Sequence, residues 1–423
     1  MAMKQNLKII AIAYACEPDK GSESGVGWNW VKQIAKNHEV WVLTKANNRE
    51  SIEHELEQNP VPTAHFVYLD LPYWMRFWKR GQRGIHLYYY LWQIAAFLRS
   101  WQLCREVSFD LAHQLTIGFD WIPSMLSLLP IPFVWGPIGS QKVPKPLKSE
   151  IGWRGRTQEY IKSVIRYFMH HFNPIFISTL RRSGAIIVSD SGTASRIPDA
   201  QSRKVRIMPH GIASSDLPAK QNISKQAGSM FYAPSGQLTV LSIGRFIYVK
   251  GFSLTIKAFA RFVQQYPEAR LVLIGRGAEY NRLKRIVIEN AIEDKVEFYD
   301  WMPRAEVLKL LQVADIFLFP SYEGGGMVVI EAMGTGKPVV CLDVGGPGEA
   351  ITEECGIKVK VQNIEQIVQD LSDGLYKLAK EPLLRRKMGE AAKKRVQEFY
   401  VWDVKAEQID RIYKRMSSEA ACL

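Results

Sequence analysis

Cysteine is scarce in this chain and nowhere paired: Cys16, Cys104, Cys341, Cys355 and Cys422 stand far apart, with no CxxC and no metal-ligand spacing. An odd, scattered set excludes a disulfide framework and a structural zinc, and it suits a reducing compartment. A long uncharged run free of helix breakers is also lacking. The best stretch, Trp121 to Gln141, carries Pro123, Pro130, Pro132 and Pro137, too many for a simple lipid-exposed span. There is no low-complexity tract and no short fixed repeat, and the 30 glycines and 21 prolines are spread along the chain, so collagen, coiled coil and disorder are excluded. Acidic residues are in deficit. The 42 Asp and Glu against 55 Lys and Arg leave a formal charge of +13, an attraction to phosphates, nucleic acid or an acidic membrane surface that charge alone does not resolve. Near the start, Lys4 and Lys8 precede an apolar run from Ile9 and an Ala13-Tyr14-Ala15 triplet, the outline of a signal peptide. That run is short and enters a glycine-rich turn and a helical stretch, as a buried first strand does.

What is present is an ordinary globular composition, 47% hydrophobic and 23% charged over 423 residues, a length for about two or three domains. Short apolar runs alternate with amphipathic helical stretches, the pattern of parallel sheets covered by helices. Strands are expected near Lys8–Tyr14, Glu39–Thr44, His65–Tyr68, Leu111–Gln114, Phe133–Trp135, Ala185–Ser189 and Val205–Met208. A second series falls near Leu238–Ile243, Arg270–Ile274, Val296–Tyr299, Ile316–Phe319 and Val339–Cys341. The polar stretch Pro209 to Gly236 reads as the connection between two α/β units, with a cleft beside it. Glu365–Lys380 and Leu383–Arg415 read as helices, the second interrupted by the bulky Phe399-Tyr400-Val401-Trp402.

The most informative segment runs from Ile316 to Gly346. A strand ends at Pro320-Ser321, Gly324, Gly325 and Gly326 follow Glu323, and a helix begins at Met327 with Glu331 in its early turns. Glycines allow close approach to the backbone, and the free amides of a helix start, here around Gly326, Met327 and Val328, favour a phosphate. Glu323 and Glu331 lie eight residues apart, so one carboxylate falls in the loop and the other about two turns along the helix. Alone, such a run is a tight strand-to-helix turn. Two further strand ends change its meaning. Gly244-Arg245 closes one strand and is followed by Lys250-Gly251, placing a planar and a point cation where a diphosphate can bind. Gly275 and Gly277 close the next, where a nucleotide can rest, and Trp301 stands at the base-binding edge.

Gly244-Arg245, Lys250-Gly251, Pro320-Ser321, the Glu323 and Glu331 pair, Glu331-Ala332-Met333, Gly336 and Pro338-Val339 together resemble the donor domain of retaining glycosyltransferases of family 4, the GT-B type that includes bacterial mannosyl- and polysaccharide-chain transferases. The resemblance implies two Rossmann-like α/β domains facing each other across a cleft, with a last helix crossing back. On that frame, residues 1–210 form the acceptor-side domain, 211–398 the nucleotide-sugar domain and 399–423 the returning helix. In the first half, Gly25 and Gly27 match the family's glycine loop, His113 its strand-end histidine bordering the transferred sugar, and Pro209-His210-Gly211-Ile212 its interdomain turn, with His210 for the usual Asn. Gly324-Gly325-Gly326 departs from the common Gly-Phe-Gly, and Asp300 from a common glycine, which leaves the nucleotide sugar open.

The resemblance further implies retention without a metal or other cofactor: Arg245, Lys250 and the amides around Gly326 balance the leaving diphosphate, Glu323 holds sugar hydroxyls, Glu331 the ribose, and His113 the reacting sugar. The expected partners are a nucleoside diphosphate sugar and a carbohydrate or lipid-linked acceptor, in cell-surface polysaccharide or glycolipid synthesis, with no nucleic acid. On the acceptor side, Tyr73 to Arg105 interleaves aromatics with cations that include Arg76, Lys79, Arg80 and Arg83, and Lys142 to Arg182 adds further cations. Such stretches suit an anionic membrane interface, as for a cytoplasmic protein peripheral at the inner face of the cell membrane, or equally a core with solvated basic faces. The alternatives are an epimerase or phosphorylase of the same architecture and, without a recognised motif, a basic nucleic-acid-binding protein.

Overall fold

The computed structural model describes residues 6–79, 84–139, 142–217 and 237–420. Arg80, Arg83, Cys422 and most of the expected connection, 218–236, lie outside the described residues. Among those described, thirteen strands form two sheets in which every pairing is parallel. The first comprises β1 (Lys8–Ile12), β2 (Glu39–Lys45), β3 (Ala64–Leu69), β4 (Leu111–Gln114), β5 (Phe133–Ile138), β6 (Ser183–Val188) and β7 (Val205–Ile207), in the order β3-β2-β1-β4-β5-β6-β7. The second comprises β8 (Leu238–Ile243), β9 (Ala269–Ile274), β10 (Val296–Tyr299), β11 (Ile316–Phe319), β12 (Val339–Leu342) and β13 (Gly356–Val359), in the order β10-β9-β8-β11-β12-β13.

The central strands read as mostly apolar runs because helices cover both faces. β8 (LTVLSI) and β9 (ARLVLI) are buried along their whole length. The helix Phe252–Gln265 shows the matching period, with Phe252, Ile256, Phe259 and Val263 all buried in the core of the second unit. Each contributes roughly 1.5 to 3 kcal/mol through burial. In both sheets the strand order reverses once in the middle, between β1 and β4 and between β8 and β11. Crossover helices diverge there, so the crevice at the carboxyl ends of those strands is where such sheets take ligands. The fold therefore directs attention to the residues just after β1, β4, β8 and β11.

Two crossings tie the units together. Ile212 N donates to Tyr400 O (2.7 Å) and Trp402 N donates to Ile212 O (3.1 Å), so the outgoing and returning chains pair at the hinge. From there the helix Trp402–Ala420 lies on the first unit: Trp402 meets Trp30 edge-on at 5.2 Å, and Asp410 sits 3.0 Å from His38. The second crossing has no clear sequence signal. Val143, Leu147 and Ile151, between β5 and the helix Trp153–Phe172, are buried in the core of the second unit, although they precede residue 210.

His113, at the end of the first unit's β4, is the bolt under the returning helix. Its Nε2 lies 2.6 Å from Gly136 O and its Nδ1 2.5 Å from Tyr413 OH. A carbonyl can only accept, so Nε2 carries the proton and Nδ1 accepts from the tyrosine, which makes the ring neutral. Burial pushes its pKa down to about 3, against the lift from the Gly136 carbonyl. The unfolded chain then binds a proton below the ordinary 6.5 that the native state refuses. Stability should be full above that value and fall with decreasing pH by up to about 1.4 kcal/mol per unit until roughly pH 3. Urea midpoints at pH 7.5 and 5.5 check this: His113→Gln should show a shallower fall than the parent, and parallel falls in both proteins would contradict the assignment.

Candidate functional site

The carboxyl ends of β8 and β11 are zipped together by short loops. Ser321 Oγ donates to Val249 O (3.1 Å), Tyr322 OH to Tyr248 O (3.0 Å) and Tyr322 N to Val249 O (3.2 Å). This fixes the turn Tyr248–Lys250 against the loop that carries Glu323. Lys250 Nζ stands 2.5 Å from Glu323 Oε2 and 5.3 Å from the centroid of the Phe319 ring, with both charged side chains largely buried. Gly244 follows β8 directly, and Gly275 lets the loop after β9 press onto it, since a Cβ at Gly275 would stand 1.9 Å from Gly244 O. Gly277 packs likewise on Phe246. These two expected donor glycines thus shape the platform through backbone packing.

Arg245 is exposed, and among the described residues no ion pair engages it. Beyond Glu323, the Gly324-Gly325-Gly326 loop is held by Gly346 N donating to Glu323 O (2.8 Å). A Cβ on Gly325 would meet nothing within 4 Å, so space lies open beside it. Gly326 adopts φ +85°, the left-handed turn that starts the helix Met327–Gly334. The first intrahelical bond is Val329 N to Gly326 O (2.9 Å), so the amides of Met327 and Val328 precede the ladder and face the loop mouth. Lys250 and a helix start therefore meet at one opening, with the exposed Arg245 following β8 beside them, a combination suited to a diphosphate.

Glu331 is placed differently from the sequence expectation of a carboxylate waiting for a ribose. Its Oε1 accepts from Arg304 Nε (3.0 Å) and Nη2 (2.8 Å), while Arg304 Nη1 reaches Asp216 Oδ2 (2.7 Å) at the hinge. Burial raises the Glu331 carboxyl and Arg304 opposes it. Trp301 projects into solvent beyond β10.

The first unit supplies one correction and one missed residue. His113 does not border the opening: it is fully buried, and both ring nitrogens are used by Tyr413 and Gly136. The strand-end histidine is buried because helices cover both faces of β4, and on its side the returning helix closes over it through Tyr413. Gly25 and Gly27 lie in the first helix, Ser22–Ala35, where a Cβ on Gly27 would stand 2.0 Å from Ala15 O. Glu23, in the same helical turn, is exposed along its stem but tucks its carboxylate inward, where Oε1 accepts from Ile117 N (2.6 Å) just after β4. Its carboxyl is raised by burial among surrounding groups, with the Ile117 bond and the Arg245 charge acting the other way. A glutamate of the first unit thus stands across the crevice from the free arginine of the second. In the sequence, Glu23 reads as an ordinary acid at a helix start; only the pairing of units shows what it faces.

Two parallel α/β units with their strand ends turned to a shared cleft, and a last helix crossing back, make this a GT-B fold. A sucrose-phosphate synthase from Thermosynechococcus elongatus superposes with TM-score 0.70 over 98% of this chain and 100% of its own, at 18% identity, which establishes the fold. The family described as Glycosyl transferases group 1 matches residues 231–395, which is the part of the chain that resembles it. Curated relatives include the GDP-mannose-dependent monoacylated alpha-(1-6)-phosphatidylinositol monomannoside mannosyltransferase of Corynebacterium glutamicum, 28% identical over 40% of this chain and 45% of its own length. Another is the D-inositol 3-phosphate glycosyltransferase of Corynebacterium aurimucosum, 33% identical over 48% and 49%. The chain spans about half the length of these relatives.

The Arg304 bridge is open to test without any ligand. Arg304→Met should lower the urea-unfolding free energy by about 1 to 3 kcal/mol, because it leaves the mostly buried Glu331 carboxylate without its partner. Adding Glu331→Gln should recover part of that loss. Equal midpoints for Arg304→Met and the parent would show that the bridge contributes nothing.

Proposed function

We propose that the protein transfers a sugar from a nucleoside diphosphate sugar to a carbohydrate or lipid-linked acceptor, with retention at the anomeric carbon and without a metal. The observation that carries this reading is the meeting of the Lys250–Glu323 pair with the open start of the helix Met327–Gly334 at the switch point of the second sheet, where the exposed Arg245 also follows β8. On this reading Lys250, Arg245 and the amides of Met327 and Val328 take the charge that develops on the leaving diphosphate, in place before the reaction and so without reorganisation cost. Glu323 accepts hydrogen bonds from donor-sugar hydroxyls while remaining paired to Lys250. Glu331 shares itself between Arg304 and the ribose. Glu23, and not His113, is the charged group of the first unit that faces the donor.

The units that carry these roles are residues 1–210 for the acceptor, 211–398 for the donor and 399–423 for the return. Val143, Leu147 and Ile151 form a strap from the first onto the second. The relatives act, by their names, on inositol phosphate and phosphatidylinositol mannoside, which supports an acceptor bearing polyol or lipid groups and a place in glycolipid or polysaccharide synthesis. Neither relative is an epimerase or a phosphorylase. Among the described residues no helix is long and apolar enough to cross a membrane. The charge of +13 and the exposed Tyr73, Trp74 and Phe77 support peripheral attachment at a cytoplasmic, anionic membrane face. Of the aromatics expected there, Tyr88, Tyr89 and Trp92 are core residues instead.

Release of free nucleoside diphosphate from the donor should continue undiminished in excess EDTA, since the cations Arg245 and Lys250 occupy the place where a divalent ion would otherwise balance the leaving group. Complete loss that added Mg²⁺ or Mn²⁺ restores would contradict the metal-free reading.

A further inference from the structure

Among the described residues, the helix Trp153–Phe172 joins the two units along one side and leaves its other side uncovered. Inward, Glu159 Oε1 accepts from Tyr248 OH (2.8 Å) and Lys162 Nζ donates to the same hydroxyl (3.1 Å), so the first half sits on the second unit. In the second half, Arg166 lies 3.4 Å from Asp120 Oδ1 and His170 Nε2 donates to Asp120 O (2.8 Å), which seats it on the first. Outward, Ile161, Val164, Ile165, Phe168 and Phe172 recur at i, i+3, i+4, i+7 and i+11, and every one is exposed, with Tyr160 and Tyr167 beside them. A stripe at that spacing is the face a helix ordinarily buries. It runs most of the length of a helix about 30 Å long.

The charge around the stripe selects its occupant. Lys142 to Arg182 holds nine cations against two acids, Glu150 and Glu159, and both acids are engaged inward: Glu150 with Lys257 and Arg282, Glu159 with Lys162. Lys142, Lys145, Lys148 and Arg156 are exposed nearby. A second copy seated face to face would bring these cations together and be repelled. An amphipathic helix with aromatics on one face and cations around it is the form that lies in the headgroup plane of an anionic bilayer. We propose that the outer face of Trp153–Phe172 docks on an anionic lipid bilayer, and that, because its inner face holds Tyr248 of one unit and Asp120 of the other, the docked helix fixes both walls of the cleft to the membrane. This inference rests on the reading of the protein as peripheral, and narrows it to one surface.

The test is sedimentation of the full chain with vesicles of phosphatidylcholine and phosphatidylglycerol, against phosphatidylcholine alone, at low and high salt. The parent should pellet with the anionic vesicles and be released by salt. Ile165→Glu with Phe168→Glu, both at exposed positions that leave the core intact, should lower the bound fraction by about tenfold or more, with circular dichroism and calorimetric donor binding unchanged. Tyr73→Ser with Trp74→Ser and Phe77→Ser should retain most of the binding. If the helix variant pellets like the parent while the Tyr73 set does not, the peripheral reading stands and this surface is overturned. If the parent ignores both vesicle types, both fall. A parent that elutes as a dimer, a helix variant that elutes as a monomer, and no vesicle binding by either would assign the stripe to a second copy.

Discussion

The ion pair between Lys250 and Glu323 is the constraint on which the rest of the site depends. Its two members come from different strand ends, one after β8 and one after β11, and they meet only because the intervening loops are stitched through Ser321, Tyr322 and Val249. With both side chains largely withdrawn from water, the attraction is less screened than at the surface. It holds the lysine at the loop mouth while the site is empty. A polyanion arriving there meets a cation already fixed, and Arg245 beside it is free to add a second contact. On the proposed reading, the same glutamate then presents its remaining lone pairs to the sugar that the polyanion carries.

Geometry outside the site serves the same end. The switch points of both sheets open on one cleft, and two crossings hold its walls together: the paired hinge at Ile212 and Tyr400, and the strap through Val143, Leu147 and Ile151. Beneath the hinge, Lys405 is buried with its ammonium 5.2 Å from the centroid of the Tyr400 ring, and burial lowers its pKa to about 8. Arg304 links the donor loop to the hinge by holding Glu331 and Asp216 together. On the proposed reading, donor binding and domain position thus share side chains.

Much of this was legible in the sequence, because strands buried on both faces are continuous apolar runs and the glycines and charges of a donor platform fall at their ends. Twelve of the strands fall where the apolar runs predict them. β13 escapes because Gly356–Val359 is short, lies at the sheet edge and contains Lys358. The second unit's site is local, its residues contributed by successive strand ends, so spacing finds them. The first unit's contribution is relational. His113 sits at a strand end but beneath the returning helix, where Tyr413, three hundred residues away, uses it; Glu23 feels the Arg245 charge only once the two units are paired. Periodicity gives the helix Trp153–Phe172, but only tertiary contacts tell which of its faces is bare.

The measurement that bears most directly on the account is calorimetric titration of UDP, GDP and ADP into the parent and into Lys250→Ala. One of these diphosphates should bind the parent, and its affinity should fall in the variant by roughly tenfold or more, the loss of a charge-assisted bond of about 1.5 to 3 kcal/mol. Binding of none of the three to the parent, or equal affinity in both proteins, would contradict the claim that Lys250 and Glu323 form the donor site.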